Sequence, residues 1–303
     1  MASTGYQPAP RPIQPLPAST ISTDPTAAAR IKRVAATLGL LIAAFVSSVP
    51  FYYMLNLALQ EKGGYGLFDW PPRMVPEWPL QLHNFPDALS QSPFGRYFLN
   101  STIIAVLSVV GTVLSSSVAG YVFARMRFPG RDVLFIVMLA TLMVPPQVTL
   151  IPQFILFKSL GWYDSWYPLW VPHWTGTAFA IFLMRQYFKT LPSELVDAAK
   201  IDGANPLMIF WKIFMPLAKP VLATVAILVF LGSWNDLLGP VIYLQSNDNY
   251  TVQVGLAFFR GQYTMDIVSL MSASVVAVIP PIVIFMLTQR YFVRGIVLTG
   301  LKG

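Results

Sequence analysis

The chain has 303 residues, of which 55% are hydrophobic and only 11% charged, with 13 acids against 20 bases. Its mean hydropathy of +0.59 excludes an ordinary soluble domain, and several stretches exceed the roughly 18 apolar residues that mark a membrane-spanning helix. Apolar runs without alternation imply helices rather than a barrel, so the expected fold class is an all-α polytopic membrane protein. The absence of cysteine excludes a disulfide framework and thiolate chemistry. A net charge of +7 in such a chain reports topology rather than nucleic-acid binding.

Residues 1–33 begin with a Pro-, Ala-, Ser- and Thr-rich stretch that cannot bury enough surface to fold, and read as a disordered cytoplasmic tail. Arg30, Lys32 and Arg33 precede the charge-free run 34–59, "VAATLGLLIAAFVSSVPFYYMLNLAL". A signal peptide is the alternative, but its apolar region spans only about 7–15 residues; a retained first helix fits better. Further spans are expected at 97–123, 132–157, 165–186, 219–244 and 268–291, six helices in all. Prolines at 145–146, 152, 168, 172, 240 and 280–281 interrupt four of them. Broken helices are tolerated where they pack on protein or line a water-filled path. Ser115, Ser116, Ser117, Ala119 and Gly120 permit close helix packing.

The extracytoplasmic loop 60–96 carries "FDWPPRMVPEWP", and 158–175 reads "KSLGWYDSWYPLWVPHWT". Their Trp and Tyr form an interfacial belt in the simplest reading; contact with an outside partner is the sharper one. With the N-terminus inside, 15 bases face the cytoplasm and five, Lys62, Arg73, Arg96, Lys158 and Arg260, face outward. The positive-inside rule is met only this way up.

The stretch 187–219 is different in kind. "SELVDAAKIDGANP" at 193–206 sets Glu194, Asp197, Lys200 and Asp202 around small residues, and reads as two short helices with a glycine corner. Ser193 is placed to cap the first, and Asp202-Gly203 to stop it. Asn205-Pro206 opens the second, whose Leu207, Phe210, Trp211, Phe214 and Leu217 recur at spacings of three and four and define an apolar face. Ala198 and Ala199 allow a close backbone approach. A helix docked in a groove of a second protein uses these features; a re-entrant loop packed on its own helix ends is the alternative.

Within 219–244, "SWNDLLGP" at 233–240 places Asn235 and Asp236 at membrane depth. Such groups are costly and usually face a cavity or a partner. Amide and carboxylate can pair with sugar hydroxyls, and the Trp234 indole can cover a sugar's apolar face. The other reading has Asp236 bonding neighbouring backbone. Gln147, beside Pro145 and Pro146, is a weaker path candidate. His83 and His173 are the only histidines and stand far apart, with no acid cluster at metal-ligand spacing. No Gly-x-Ser-x-Gly elbow and no Gly-x-x-x-x-Gly-Lys-[Ser/Thr] phosphate loop occurs.

"DAAKIDGANPLMIFWKIFMPLAKP" at 197–220 closely resembles the cytoplasmic EAA loop of ABC-importer permeases. Asp197 stands where that family usually has Glu; Ala198, Ala199, Gly203, Ile213 and Pro216 match. "RYFLNSTIIAV", "YVFARMRFPGRD", "SWNDLLGPVIYL" and "QRYFVRGIVLTGLKG" resemble the maltose-type carbohydrate permeases in the same order. The resemblance implies a type I ABC-importer permease fold, with a core of five helices over 97–291 and a cytoplasmic C-terminus at 292–303. It implies that Asp197, Ala198, Ala199, Asp202, Gly203, Ala204 and Pro216 form a coupling element in a cleft of a cytoplasmic ATPase dimer. It further implies a second permease subunit, an extracytoplasmic sugar-binding protein and the cell membrane as location. The chain itself would then be no enzyme and hold no cofactor, ATP and magnesium being bound by the ATPase. Permeases of the same fold for osmolytes, amino acids or phosphate esters are the competing reading, and a membrane scaffold or enzyme unrelated to ATP is the second.

Because the chain contains no cysteine, single cysteines introduced at 128, 200 and 300 should react only from the cytoplasmic side, and those at 80 and 250 only from outside. Labelling of position 200 from the external face would overturn the topology.

Overall fold

The computed structural model describes residues 27–63, 74–91, 93–259 and 266–300, with side chains assigned for 29–290 of these. Residues 1–26 of the expected 1–33 tail, part of the 60–96 loop and the last three residues lie outside the described residues, while 27–33 are helical rather than disordered and open the first helix. All regular structure among the described residues is helical.

The chain divides at Phe51–Tyr52 into two units. The first is the leading part of α1 (Ala27–Ala58), whose apolar side chains, such as Leu40 and Phe45, are exposed all round. A helix apolar on every face belongs in lipid.

The second unit starts with the end of α1, where Leu57 and Ala58 are fully buried. There follow α2 (Asn84–Ser90), the 32-residue α3 (Phe94–Arg125), α4 (Arg131–Ala140), α5 (Pro146–Ser159), α6 (Tyr167–Trp170) and α7 (Ala178–Thr190). Then come α8 (Glu194–Ile201), α9 (Pro206–Ile209), α10 (Met215–Leu217), α11 (Lys219–Trp234), α12 (Leu238–Tyr243), α13 (Val252–Phe258) and α14 (Ile267–Gly300).

Three helical stretches, Ala29–Ala58, Phe94–Arg125 and Ile267–Arg290, are each long and apolar enough to cross a membrane. The other expected spans are broken. That at 132–157 bends by 97° between Arg131–Met143 and Pro146–Ser159, where Pro145 and Pro146 supply no backbone N–H. That at 165–186 resolves into α6, a 3₁₀ turn over Val171–Thr175 and the 13-residue α7. That at 219–244 becomes the 16-residue α11 and, past Asn235–Leu237, the short α12. At 1.5 Å per residue α11 spans about 24 Å, short of a bilayer's hydrocarbon core.

α3 is the central element and packs most extensively on α7 and α11. Its buried face is small and polar: Ser101, Ala105, Ser108, Gly111, Thr112, Ser116 and Gly120. Small residues let helix backbones approach closely. A Cβ at Gly120 would stand 2.5 Å from Met184 Cβ, and one at Gly111 would strike the Trp174 ring. Trp174 in turn donates its indole N–H to the Leu107 carbonyl at 3.1 Å.

The expected aromatic belt divides: Tyr163, Tyr167 and Trp174 are exposed, whereas Trp162, Trp166 and Trp170 are half-buried. Trp162 stacks on Phe157, and Trp166 donates to the Asn249 carbonyl at 3.0 Å. Between them Asp164, at φ 57°, forms a clasp. Its carboxylate accepts the backbone N–H groups of Gln245 and Ser246, each at 2.8 Å, and the Ser246 hydroxyl. The Asn249 amide donates to its carbonyl oxygen at 2.8 Å. Asn100 on α3 donates to the carbonyls of Asp248 and Tyr250, both at 2.9 Å. Two loops distant in sequence are thus tied to one helix.

Desolvation opposes the charge on Asp164, but the hydrogen bonds from Ser246, Gln245 and Asn249 outweigh it and hold the carboxyl at about 2, below the ordinary 3.8. A depressed folded-state value contributes stability that is complete above the unfolded value and is lost as pH falls through the folded one. The difference in melting temperature between wild type and Asp164→Asn should therefore be constant from pH 7 to about 5 and shrink toward pH 2. A difference that persists undiminished at pH 2 would remove the carboxylate from this role.

Candidate functional site

The charged segment at 193–206 forms the corner expected of it, by local chemistry. Ser193 precedes α8 but makes no side-chain cap, which corrects its assigned role; it gives its carbonyl to Val196 and Asp197 instead. At the other end Gly203 takes φ 79°. The Gly203 N–H bonds the Lys200 carbonyl at 3.0 Å, and the Ala204 N–H bonds that of Ala199 at 2.9 Å. This is a Schellman stop, which needs a left-handed residue at that position. The Asn205 side chain then accepts the Met208 N–H at 2.8 Å and opens α9.

The alanine pair divides. Ala199 is buried against Phe210, Phe214 and their neighbours, whereas Ala198 is exposed alongside Asp197, Asp202 and Gly203; Ala204 is half-buried and Pro216 exposed. The second short helix does not bury the expected face. Ile209, Phe210 and Phe214 are within 2% of complete burial, but Leu207 is 63% and Trp211 47% exposed. A π turn over Phe210–Phe214 is the reason: the Met215 N–H bonds the Phe210 carbonyl, five residues back. Pro216, directly after it, has no N–H for the carbonyl four residues back. The wider turn puts residues five apart, Ile209 and Phe214, on one face. The corner therefore presents Ile201, Leu207, Met208 and Trp211 outward, with the acids beside them.

Several bonds tie this corner to the long helices. Tyr121 on α3 donates to the Pro206 carbonyl at 3.2 Å, and Tyr187 on α7 donates to that of Leu217 at 2.8 Å. Arg125 donates to the carbonyls of Phe188 (2.7 Å) and Leu191 at the end of α7 and lies 5.1 Å over the Phe214 ring. A cation is favoured there, at a helix C-terminus where the carbonyls lack their usual N–H four residues on. Charge counting had seen Arg125 only as a topology marker.

The intramembrane candidates separate. Trp234 is 1% exposed, stacked on Phe230, edge-on to Phe98, and donates its N–H to the Ala277 carbonyl at 3.1 Å. It is a core residue here, and no face of it is free to cover a sugar ring. Asn235 is exposed and its amide turns back to the Leu231 carbonyl at 2.9 Å. Asp236 does accept neighbouring backbone, the Gly239 N–H at 3.2 Å, and it also lines open space. One cavity of about 360 Å³ lies among α3, α7 and α11, lined in part by Ser101, Thr177, Ser233, Asp236 and Thr251. A second, also about 360 Å³, lies among α5, α6 and α12 and includes Gln147 and Gln153. Leu169, His173 and Asp236 line both.

Gln147 and Asp236, 89 positions apart in the chain, are thus brought to one space. His173, on the 3₁₀ turn that follows α6, joins them. Its Nδ1 lies 3.2 Å from the Thr112 hydroxyl. The only signal in the sequence was its place among prolines.

Broken helices around cavities of mixed polar and apolar lining, with an exposed helical corner wired to the long helices, define a helical membrane permease. The chain belongs to the family of binding-protein-dependent transport system inner membrane components, which it matches over residues 116–298. It is 35% identical over 273 residues to the osmoprotective compounds uptake permease protein GgtD of Synechocystis, covering 88% of this chain and 91% of that one. It is likewise 35% identical to the arabinooligosaccharides transport system permease protein AraQ of Halalkalibacterium halodurans, over 86% of this chain and 94% of that one. A chain in the crystal structure of a bacterial ABC transporter involved in the import of the acidic polysaccharide alginate shares the fold. Its TM-score is 0.74 at 24% identity, with 89% of this chain and 99% of that one covered.

Asn205→Ala removes the acceptor that holds the Met208 N–H and should cost about 1 kcal/mol locally. Hydrogen exchange at that amide should quicken about fivefold, while Asn205→Asp restores wild-type protection. Unchanged exchange in Asn205→Ala would show that the cap does not hold the corner.

Proposed function

We propose that the chain is the permease subunit of an ATP-driven sugar importer in the cytoplasmic membrane. It forms half of a translocation path with a second, related permease, and both its termini are cytoplasmic. An extracytoplasmic sugar-binding protein delivers substrate, and a cytoplasmic ATPase dimer binds ATP and magnesium. The chain performs no bond chemistry.

The observation that carries this reading is the exposed corner over 193–217, with apolar and acidic side chains turned outward and its backbone bonded to α3 at Pro206 and to α7 at Leu217. An element that is exposed at one end and anchored to long helices at the other converts a push from a partner into helix rotation. Alternating access requires such a rigid-body change. Asp197, Ala198, Asp202 and Gly203 are the contact residues of this scheme, with Ala199, Ala204 and Pro216 shaping the corner behind them.

The test is uptake by proteoliposomes holding the chain with its permease partner, ATPase and binding protein. ATP-dependent accumulation of a neutral oligosaccharide such as arabinotriose is the expected result. Accumulation of glycine betaine or glucosylglycerol in its place would favour the osmolyte reading, which the likeness to GgtD supports. Gly203→Val, strained by about 1–2 kcal/mol at positive φ, should lose most binding-protein-stimulated hydrolysis and uptake. A Cβ at 203 meets no atom within 4 Å, so Gly203→Asn, which tolerates this conformation, and Asp197→Glu should keep most of both. Full activity in Gly203→Val would remove the corner from coupling.

A further inference from the structure

The two cavities differ in their walls but share a charged junction. Between them they are lined by one carboxylate, Asp236, one imidazole, His173, and the Tyr243 phenol, and neither lining contains a Lys or Arg among the described residues. With Asp236 ionised, the carboxylate and imidazole together carry a net charge of zero or minus one in either state of the imidazole. Nothing in these walls balances an anionic solute.

The same walls are rich in groups that bond hydroxyls. Thr251 is 95% buried and lines the first cavity, and its Oγ1 has no hydrogen-bond partner. A buried hydroxyl left without a partner costs about 1–3 kcal/mol. It is an open place for a ligand hydroxyl or a water. Ser233 and Thr177 stand in the same wall, and Gln147 and Gln153 in that of the second cavity.

We propose that Asp236, His173 and Thr251 form a solute-contact site in this subunit that admits neutral or cationic polyhydroxylated solutes and rejects anionic ones. Asp236 accepts hydroxyl protons and repels carboxylates, His173 supplies the second polar edge at the junction, and Thr251 contributes the unpaired hydroxyl. The inference rests on the reading of the chain as a sugar permease and narrows the class of sugar. It sets this chain apart in substrate charge from the importer of an acidic polysaccharide whose fold it shares.

Low-dielectric clefts of one sign shift local ion concentrations by about tenfold or more, which thiol chemistry can read directly. The chain has no cysteine, so Ser233→Cys places a single thiol in this chain beside Asp236. In the assembled complex it should react with a cationic ethyltrimethylammonium methanethiosulfonate at least about tenfold faster than with the anionic sulfonatoethyl reagent, each rate normalised to an exposed Leu82→Cys control. Asp236→Asn in the Ser233→Cys background should bring the normalised ratio to about one. A ratio near one with Asp236 present, or one that Asp236→Asn does not change, overturns the proposal.

Uptake supplies the second arm. Neutral arabinotriose should be taken up and a trigalacturonate excluded, and Thr251→Val should raise KM for the neutral sugar about tenfold, the cost of one lost hydroxyl contact. Uptake of the trigalacturonate at the neutral rate overturns the proposal. Failure of all sugar uptake with a charge-selective thiol would count against the sugar reading and not against the site, so the two failures are separable.

Discussion

A helix in lipid must satisfy its own backbone, because no water is there to bond a freed N–H or carbonyl. This chain breaks its helices repeatedly, and several of the breaks are closed by a nearby side chain. Thr177 accepts the Ala180 N–H at the start of α7, Asp236 accepts that of Gly239 after α11, and Arg125 takes the carbonyls that end α7. The cavities, the clasp and the corner all lie beside the breaks.

That constraint also explains the division between rigid and specialised parts. α3 is unbroken over 32 residues, and its small-residue face lets α7 and the Val171–Thr175 turn approach until a single added Cβ would collide. Helices packed this closely move together or not at all. The breaks lie around them: the Asn235–Leu237 interruption opens the cavities, and the Gly203 turn exposes the corner. Tyr121, Arg125 and Tyr187 bridge from the corner to α3 and α7, so a displacement at one reaches the others through direct bonds.

Much of this was legible in the sequence, where the governing chemistry is local. The apolar runs gave the helical membrane class, and the Asp202-Gly203 and Asn205-Pro206 pairs gave the corner, since capping and left-handed turns involve residues within four positions of each other. The resemblance at 197–220 pointed to the family that the chain is shown to belong to. Other features depend on partners distant in the chain. Trp234 sits beside Asn235 and Asp236 in sequence, but its burial is decided by Phe98 and Ala277. His173 meets Asp236 only because α6 and the following 3₁₀ turn fold back toward the end of α11. Ser193 looked like a cap by residue type and is not one, because its backbone is already helical there.

The apolar face of 206–217 was misread because an unbroken α-helical period was assumed. One residue in an α-helix corresponds to about 100° of rotation, and the π turn inserts one residue without changing any side chain. Which side of the corner looks outward is accordingly set by a hydrogen-bond register, the bond from Met215 to Phe210. Closing that turn to α geometry would carry Ile201, Leu207 and Met208 about a quarter of the way around the axis relative to α11. The outward face of the corner is therefore indexed like a gear tooth, and its angular setting is written in the backbone.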